Sequence, residues 1–444
     1  MTSQGIVNEF KSTKLRDERL SKRLEQLAES ASRSPEKSFP QLLDDAALEG
    51  AYRFFGNEKV TADAILAPHI ASTIERATGA RRVIAHDTTT LSFRAGGERV
   101  GLGEGRKGSQ VLHAHVSLAV DELHNPLGVL ALGTHVGKSA TENHRRWFEQ
   151  AESVSRQLGK DAALHVMDRE ADDYDVLWRL VEGGHHFVIR AQYDRVSERD
   201  GQVGKLRELV PNMAAATRDV VVEERTDFGR GQKQRTVHHA RTTRSAELYF
   251  SGTTLQIRKP SSAGPNSPPQ ISLNVVRVWE NNAPDGEKPI EWLLLTTEPS
   301  ATKSDLLRVA DYYRARWVVE EYFKALKSGC AIEKRQLESR PSLENALALF
   351  IPVAWSLLGL RTALRRIPNS VAGTIITISQ LKVLTAIARS RMPLRPTVKD
   401  VVLAIARLGG HLKRNGPPGW ITLARGLDEL TKALAGYRLA KSEM

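Results

Sequence analysis

A single cysteine, Cys330, stands in 444 residues, so the chain holds neither an intrachain disulfide framework nor a cysteine-built zinc site. Long apolar runs are also scarce. The longest, Ala346 to Leu360, is short for a bilayer span and contains Pro352, and Met1 to Phe10 lacks the basic start and apolar run of an export signal. No membrane partner is expected, and the compartment expected is a reducing, bacterial-type cytoplasm. The glycine-rich stretch Gly101 to Gly108 lacks the Gly-Lys-Ser/Thr step from strand to helix that cradles phosphate, and reads as a hairpin loop. His113, His115 and the pairs His185-His186 and His238-His239 have no cysteines or placed carboxylates around them, so they read as strand and surface residues rather than metal ligands.

Hydrophobic residues at 41% and charged residues at 26% are ordinary for a folded protein, and the length allows two to four domains. Acid is short at one end. From Arg361 to Met444 there are 15 Lys or Arg against 4 Asp or Glu, which is +11 of the chain's +12. Near the other end Lys11, Lys14, Arg16, Arg19, Lys22 and Arg23 crowd together with only Asp17 and Glu18 against them. Such ends suit a polyanion, most simply nucleic acid, and equally suit a solubilising surface.

Leu15, Leu20, Leu24 and Leu27 at helical spacing predict an amphipathic helix over 12–31 with Arg16, Arg19 and Arg23 on another face. Asp44 to Phe55 and Thr61 to Arg76 predict two more helices. Beyond Gly79 short apolar runs appear at Arg82 to Asp87, Val111 to Val120, Leu127 to Leu132, Ala163 to Met167 and Phe187 to Ala191, with helical patterns at Glu142 to Leu158 and Asp172 to Val181. That mixture predicts an α/β domain. From about 215 to 300 the pattern is strands alone (Val220 to Glu223, Gln234 to Ala240, Leu248 to Ile257, Ile271 to Trp279, Ile290 to Leu295), broken by a loop at Lys259 to Gln270. From Thr302 the pattern is helical, with Ser304 or Asp305 as cap of a helix reaching about Lys327.

On that helix Tyr313, Arg316, Glu320, Lys324 and Lys327 fall within about 80° at 100° per residue. One carboxylate inside a basic stripe can ligate a cation while the bases grip flanking phosphates. The same residues also form an ordinary solvated face of i,i+4 ion pairs, each worth about 0.2–0.5 kcal/mol. Asp87 and Asp168 each end an apolar strand, where α/β sheets place their sites, although strand-end aspartates commonly cap turns. Carboxylates from two strands and one helix suit a pair of hard cations such as Mg²⁺ or Mn²⁺ in phosphodiester chemistry.

These residues resemble the DDE transposases of bacterial insertion sequences, specifically the insertion-sequence-four family and its transposon-five-type members. The family's Tyr-x2-Arg-x3-Glu-x6-Lys signature is met by Tyr313, Arg316, Glu320 and Lys327. Its two aspartate motifs are matched by His86-Asp87-Thr88-Thr89-Thr90-Leu91-Ser92 and by Asp168-Arg169-Glu170-Ala171-Asp172, and the likeness extends to Gly50-Ala51-Tyr52-Arg53-Phe54 and Glu291-Trp292-Leu293-Leu294-Leu295-Thr296. The resemblance implies an RNase H-like catalytic domain over 76–365 with an all-β insertion at about 215–300. A helical domain at 1–75 would bind transposon ends, and a helical region at 366–444 would dimerise.

It implies Asp87, Asp168 and Glu320 as catalytic ligands of two Mg²⁺ ions, with Mn²⁺ as substitute. Tyr313, Arg316, Lys324 and Lys327 would hold end phosphates and the displaced strand. Arg190 and Trp292 would handle a flipped base, although Trp292 equally fits an apolar core, and Arg19, Arg23 and Arg53 would contact the ends. The implied partners are double-stranded DNA, as transposon ends and as target, and a second copy of the chain in a synaptic homodimer associated with the nucleoid. The implied reaction is cut-and-paste transposition through nicking, hairpin formation, hairpin opening and strand transfer. A transposition-inactive inhibitor and a repair nuclease on the same fold are the alternatives. The basic segment Lys11 to Arg53 argues against the first, since family inhibitors lack the end-binding part.

Overall fold

After a short helix α1 (Ser3–Asn8), the first long helix, α2 (Glu18–Arg33), begins at Asp17, whose side chain accepts a 2.9 Å hydrogen bond from the Arg19 amide. In the computed structural model, which describes residues 3–94, 99–137, 140–222, 242–388 and 391–442, this cap starts the helix six residues later than the apolar spacing predicts. Capping of this kind is worth about 1 kcal/mol and overrides periodicity at a helix end. Leu24, Leu27, Ala28 and Ala31 form the buried stripe. A single turn α3 (Phe39–Leu42) and the helices α4 (Asp45–Phe55) and α5 (Ala62–Ala77) follow, the last two capped by Asp44 and Thr61.

Four antiparallel strands come next: β1 (Arg82–Phe93), β2 (Gly103–Glu104), β3 (Gln110–Val120) and β4 (Pro126–His135). β3 pairs with β1 along one edge and with β2 and β4 along the other. The glycine-rich segment is thus a hairpin connection, with one 3₁₀ turn at Arg106–Gly108.

Residues 140–316 form a second compact unit. Its elements are α6 (Ala140–Leu158), β5 (Ala163–Met167), α7 (Tyr174–Glu182), β6 (His186–Arg190), β7 (Val196–Arg199), β8 (Gln202–Lys205), α8 (Leu206–Leu209), β9 (Ala216–Val222), β10 (Arg244–Arg258), β11 (Gln270–Glu280), β12 (Glu291–Thr296) and α9 (Lys303–Ala315). The sheet is mixed. β5 and β6 are parallel, while β6–β12, β12–β11, β11–β10, β10–β9, β10–β7 and β7–β8 are antiparallel. Every residue of β5 is buried, as expected of a parallel strand covered on both faces. The Lys259 to Gln270 loop is tied to α7: the Tyr174 hydroxyl donates to Pro268 O and the Gly264 amide to Asp175. The strand predicted at Gln234 to Ala240, with His238-His239, lies outside the described residues.

The chain then completes the first unit, built from residues 1–139 and 317–444. It adds α10 (Trp317–Lys324), α11 (Arg340–Arg366), α12 (Ile378–Ile387), α13 (Val398–Leu408) and α14 (Trp420–Ser442). The 27-residue α11 is long and apolar enough to cross a membrane by length and composition, so the apolar run is not too short as part of a helix. It serves as the core helix of this unit: 78% of its apolar window is buried, and α2, α4, α5, β4 and α13 pack around it. The two units divide the chain at residues other than 75 and 365, because the N-terminal helices and the C-terminal helices share α11 as their common core.

The buried Glu9–His69–Arg76 cluster fastens the N-terminus into the same unit. Val129 N–H donates to His69 Nε2 at 3.0 Å, so the ring proton sits on Nδ1 and faces Glu9 at 2.5 Å. Burial pushes His69 below its ordinary range. Burial would raise Glu9, but its bonds to His69 and Arg76 hold it below the usual carboxylate range.

Candidate active site

Asp87 lies within β1 rather than at its end, opposite Val116 of β3. The strand runs six residues farther than predicted because its polar side chains find partners across the ladder: Thr88 Oγ1 meets His115 Nδ1 at 2.8 Å and Thr90 Oγ1 meets His113 Nδ1 at 3.0 Å. These histidines are strand residues, as read from the sequence. Glu320 sits in the first turn of α10, and α10 packs on β1. The first unit therefore brings the Asp87 strand and the Glu320 helix into contact.

The helix predicted from Tyr312 to Lys327 is interrupted twice. α9 ends at Ala315, where the Arg316 amide turns back to Tyr313 O, and α10 gives way to a π-turn over Ala325–Gly329, closed by Cys330 N–H donating to Ala325 O at 2.9 Å. The single 100° wheel thus does not hold along the whole stretch, since a π-turn adds a residue to one turn. Tyr313 and Arg316 belong to the second unit, and Glu320, Lys324 and Lys327 to the first. Lys324 donates to Glu321 at 2.8 Å and lies 6.0 Å from the Trp317 ring. Lys327 Nζ donates to Thr90 O at 2.6 Å.

Sequence reasoning passed over Glu321. Burial would raise its carboxyl, but Lys324, Arg361 and Arg365 hold it below the usual range, with Arg365 at 3.6 Å and Arg361 at 3.8 Å. Glu321 thereby anchors α10 to α11. Trp317, the first residue of α10, is 57% exposed.

In the second unit Asp168 immediately follows β5 and accepts a 2.9 Å bond from the Glu170 amide, opening a 3₁₀ turn. Burial and the charge of Asp168 push the Glu170 carboxyl up, while Asp172 and Asp173 have structural partners. Asp172 is buried, bonded at 2.7 Å by Arg195 and by the amides of Gln192 and Tyr193. Asp173 caps α7 and meets His144 at 3.1 Å. Arg195, the partner that identifies Asp172 as structural, carried no sequence signal because it lies 23 residues away.

Four other predicted residues gather in this unit. Trp292 stands edge-on to Tyr313 at 5.3 Å, and Arg316 lies over the Tyr313 ring at 5.9 Å. Arg190 donates to Glu291 O at 3.0 Å. Burial, with the charges of Arg169 and Arg316, depresses the Arg190 guanidinium, while Tyr313 opposes the shift. Trp292 is half-buried, intermediate between a core and a surface residue.

In the N-terminal helices Arg19 is exposed beside Asp17, and Arg53 pairs with Glu49 on α4. Arg23 lies across α4 at Gly50, where a Cβ would stand 3.0 Å from its Cζ. Among the described residues, no three His, Cys, Asp or Glu side chains form a ready metal cluster.

Comparison with known families gives two matches: a transposase DNA-binding domain over residues 4–60 and a transposase DDE domain over residues 78–351. The second covers more than half of the chain. The chain belongs to the DDE transposases. It is a DNA transposase, a metal-dependent enzyme of DNA cleavage and strand transfer. Within the transposase, the DNA-binding match takes in α1 to α4, with Arg19, Arg23 and Arg53, and the DDE match takes in Asp87, Asp168 and Glu320. The donor set agrees with that chemistry, since bare carboxylate oxygens suit the hard divalent cations such enzymes use.

Proposed function

We propose that this transposase works by cut and paste, with Asp87, Asp168 and Glu320 as its metal ligands on an RNase H-like fold of the transposon-five type. The packing of α10 on β1 carries the reading, because it joins two of the three carboxylate-bearing elements. Asp168 is the third ligand by its match to the family's second aspartate motif, and the engagement of Asp172 by Arg195 and of Asp173 by His144 and the cap of α7 supports that choice. Two Mg²⁺ ions, replaceable by Mn²⁺, would polarise the nucleophile and offset charge on the leaving oxygen.

The protein's own side chains do the rest. Tyr313, Arg316, Lys324 and Lys327 grip the end phosphates and the displaced strand, and Arg190 with Trp292 receives an unstacked base, which relieves the bend of a hairpin. Water cuts one strand at each end, the freed 3′-OH attacks the opposite strand to close a hairpin, water reopens it, and the 3′-OH then attacks target DNA. Each step is a displacement at phosphorus, so one site serves all four. Arg19, Arg23 and Arg53 hold the terminal repeat, and two copies of the chain, joined through the helices after 366, bridge two ends.

The test is cleavage of duplexes carrying the inverted repeats that flank the gene, with Mg²⁺ or Mn²⁺, comparing wild type with Glu320→Ala. End-confined nicks and hairpins lost in the variant support the reading. End binding without cleavage favours an inactive regulator, and cleavage without end preference favours a nuclease.

A further inference from the structure

Lys327 and the far half of β1 share a neighbour that the reaction scheme leaves unused. Glu333 lies in the 3₁₀ turn Ile332–Lys334, which packs on β1 just past the π-turn. Its Oε1 accepts the Ser92 amide of β1 at 2.8 Å and stands 3.9 Å from Lys327 Nζ. Lys327 itself donates to Thr90 O, two residues before Ser92 on the same strand. One carboxylate thus clamps the strand and faces the ammonium that leans on it.

The geometry is unusual for a surface ion pair. Both side chains are about one-third exposed, at 31% each, and the lysine is carried by the one π-turn among the described residues. Such turns add a residue where a side chain must be aimed differently from the helix before it. Here the result is a lysine three residues beyond the end of α10 at Lys324, with its ammonium held between Thr90 O and Glu333.

We infer that Glu333 is a positioning residue that holds Lys327 and the Asp87 strand in one arrangement. The inference rests on the proposed role of Lys327 at the DNA. Among the described residues, the groups facing Lys327 are few. Glu333 comes from the 3₁₀ turn; Thr90 comes from β1, its hydroxyl engaged by His113 of β3; and Lys324 on α10 is engaged by Glu321. Burial lowers the Lys327 ammonium below its ordinary range and Glu333 opposes that shift, so removing the carboxylate lowers it further.

The experiment uses the full chain and a duplex carrying the terminal inverted repeat that flanks the gene. Glu333→Gln keeps an acceptor for the Ser92 amide and removes the charge; Glu333→Ala removes both. The glutamine variant is expected to melt like wild type, to nick about tenfold more slowly, and to lose activity at lower pH on the alkaline side. Combined with Lys327→Ala, it is expected to add no further loss, because its effect passes through the lysine.

Wild-type rate and alkaline limb in both Glu333 variants overturn the inference. So does a loss that adds in full to that of Lys327→Ala, or one that follows melting temperature with an unmoved alkaline limb. A wild-type protein that does not nick the duplex at all overturns the proposed function instead.

Discussion

The Nζ of Lys324 lies 2.8 Å from the Glu321 carboxylate, so the lysine of the signature helix is engaged by the glutamate next to the candidate ligand Glu320. Glu320 and Glu321 are adjacent in sequence and differ in task, the second facing Arg361 and Arg365 of the core helix.

Replacing each in turn separates the two tasks. Glu320→Ala is expected to abolish nicking while leaving the denaturant midpoint near wild type. Glu321→Ala is expected to cost about 1–3 kcal/mol in chemical denaturation, because it strips a buried acceptor from three basic groups, two of them partly solvated.

The same contrast applies in the second unit. Asp168→Ala is expected to remove cleavage with little change in melting temperature. Asp172→Ala leaves the buried Arg195 guanidinium without its carboxylate and is expected to cost about 3 kcal/mol, read by urea titration. Equal stability in the two variants would mean that Asp172 is not the structural member of the pair.

Gly50 offers a test of the end-binding surface. An alanine there favours the helix by about 0.5–1 kcal/mol but pushes a Cβ toward the Arg23 guanidinium. Gly50→Ala is expected to raise thermal stability and weaken binding of the terminal-repeat duplex. Replacing Arg19 and Arg23 with Ala is expected to weaken binding and flatten its salt dependence, since fewer counterions are released. An unchanged salt slope would make this helix an ordinary solvated face.

Acid should loosen the second unit before its carboxylates titrate. Burial pushes His165 down to about 3, and His185 beside it is also depressed by burial. The folded protein keeps both rings neutral while the unfolded chain takes up protons near pH 6.5. The His165 contribution is therefore complete above about pH 6.5 and is lost as the pH falls from there toward about 3, and His185 acts in the same direction. Melting temperature followed over that window should decline, and His165→Asn should decline less steeply from a lower starting value. His69 acts in the same direction in the first unit.

Local chemistry made much of this fold legible. Asp44 and Thr61 announced α4 and α5, and the apolar run Ala163 to Met167 gave a buried strand with Asp168 at its end. The β7–β8 hairpin carried a readable Asp200-Gly201 turn, with both residues at positive φ, but its strands are polar and short and gave no alternation to count. What stayed illegible depends on distant partners. The length of β1 rests on His113 and His115, the π-turn closes on the amide of the buried Cys330, and the role of Asp172 rests on Arg195. The candidate ligands were proposed from two strand ends and one spaced helix signature, whereas Glu321 and Glu333 gave no signal, because their partners come from β1 and α11.

A chain threaded in this way also has a schedule. The first unit opens with the DNA-binding helices, yet the helix they pack on, α11, is synthesised roughly 200 residues after that unit's first segment ends at 139. At about 5–20 residues per second the wait is on the order of 10–40 s. During that interval the apolar faces of α2, α4 and α5 lack their core partner on a growing polypeptide, and the DNA-binding part reaches its folded form only when the Glu320 helix has also been made.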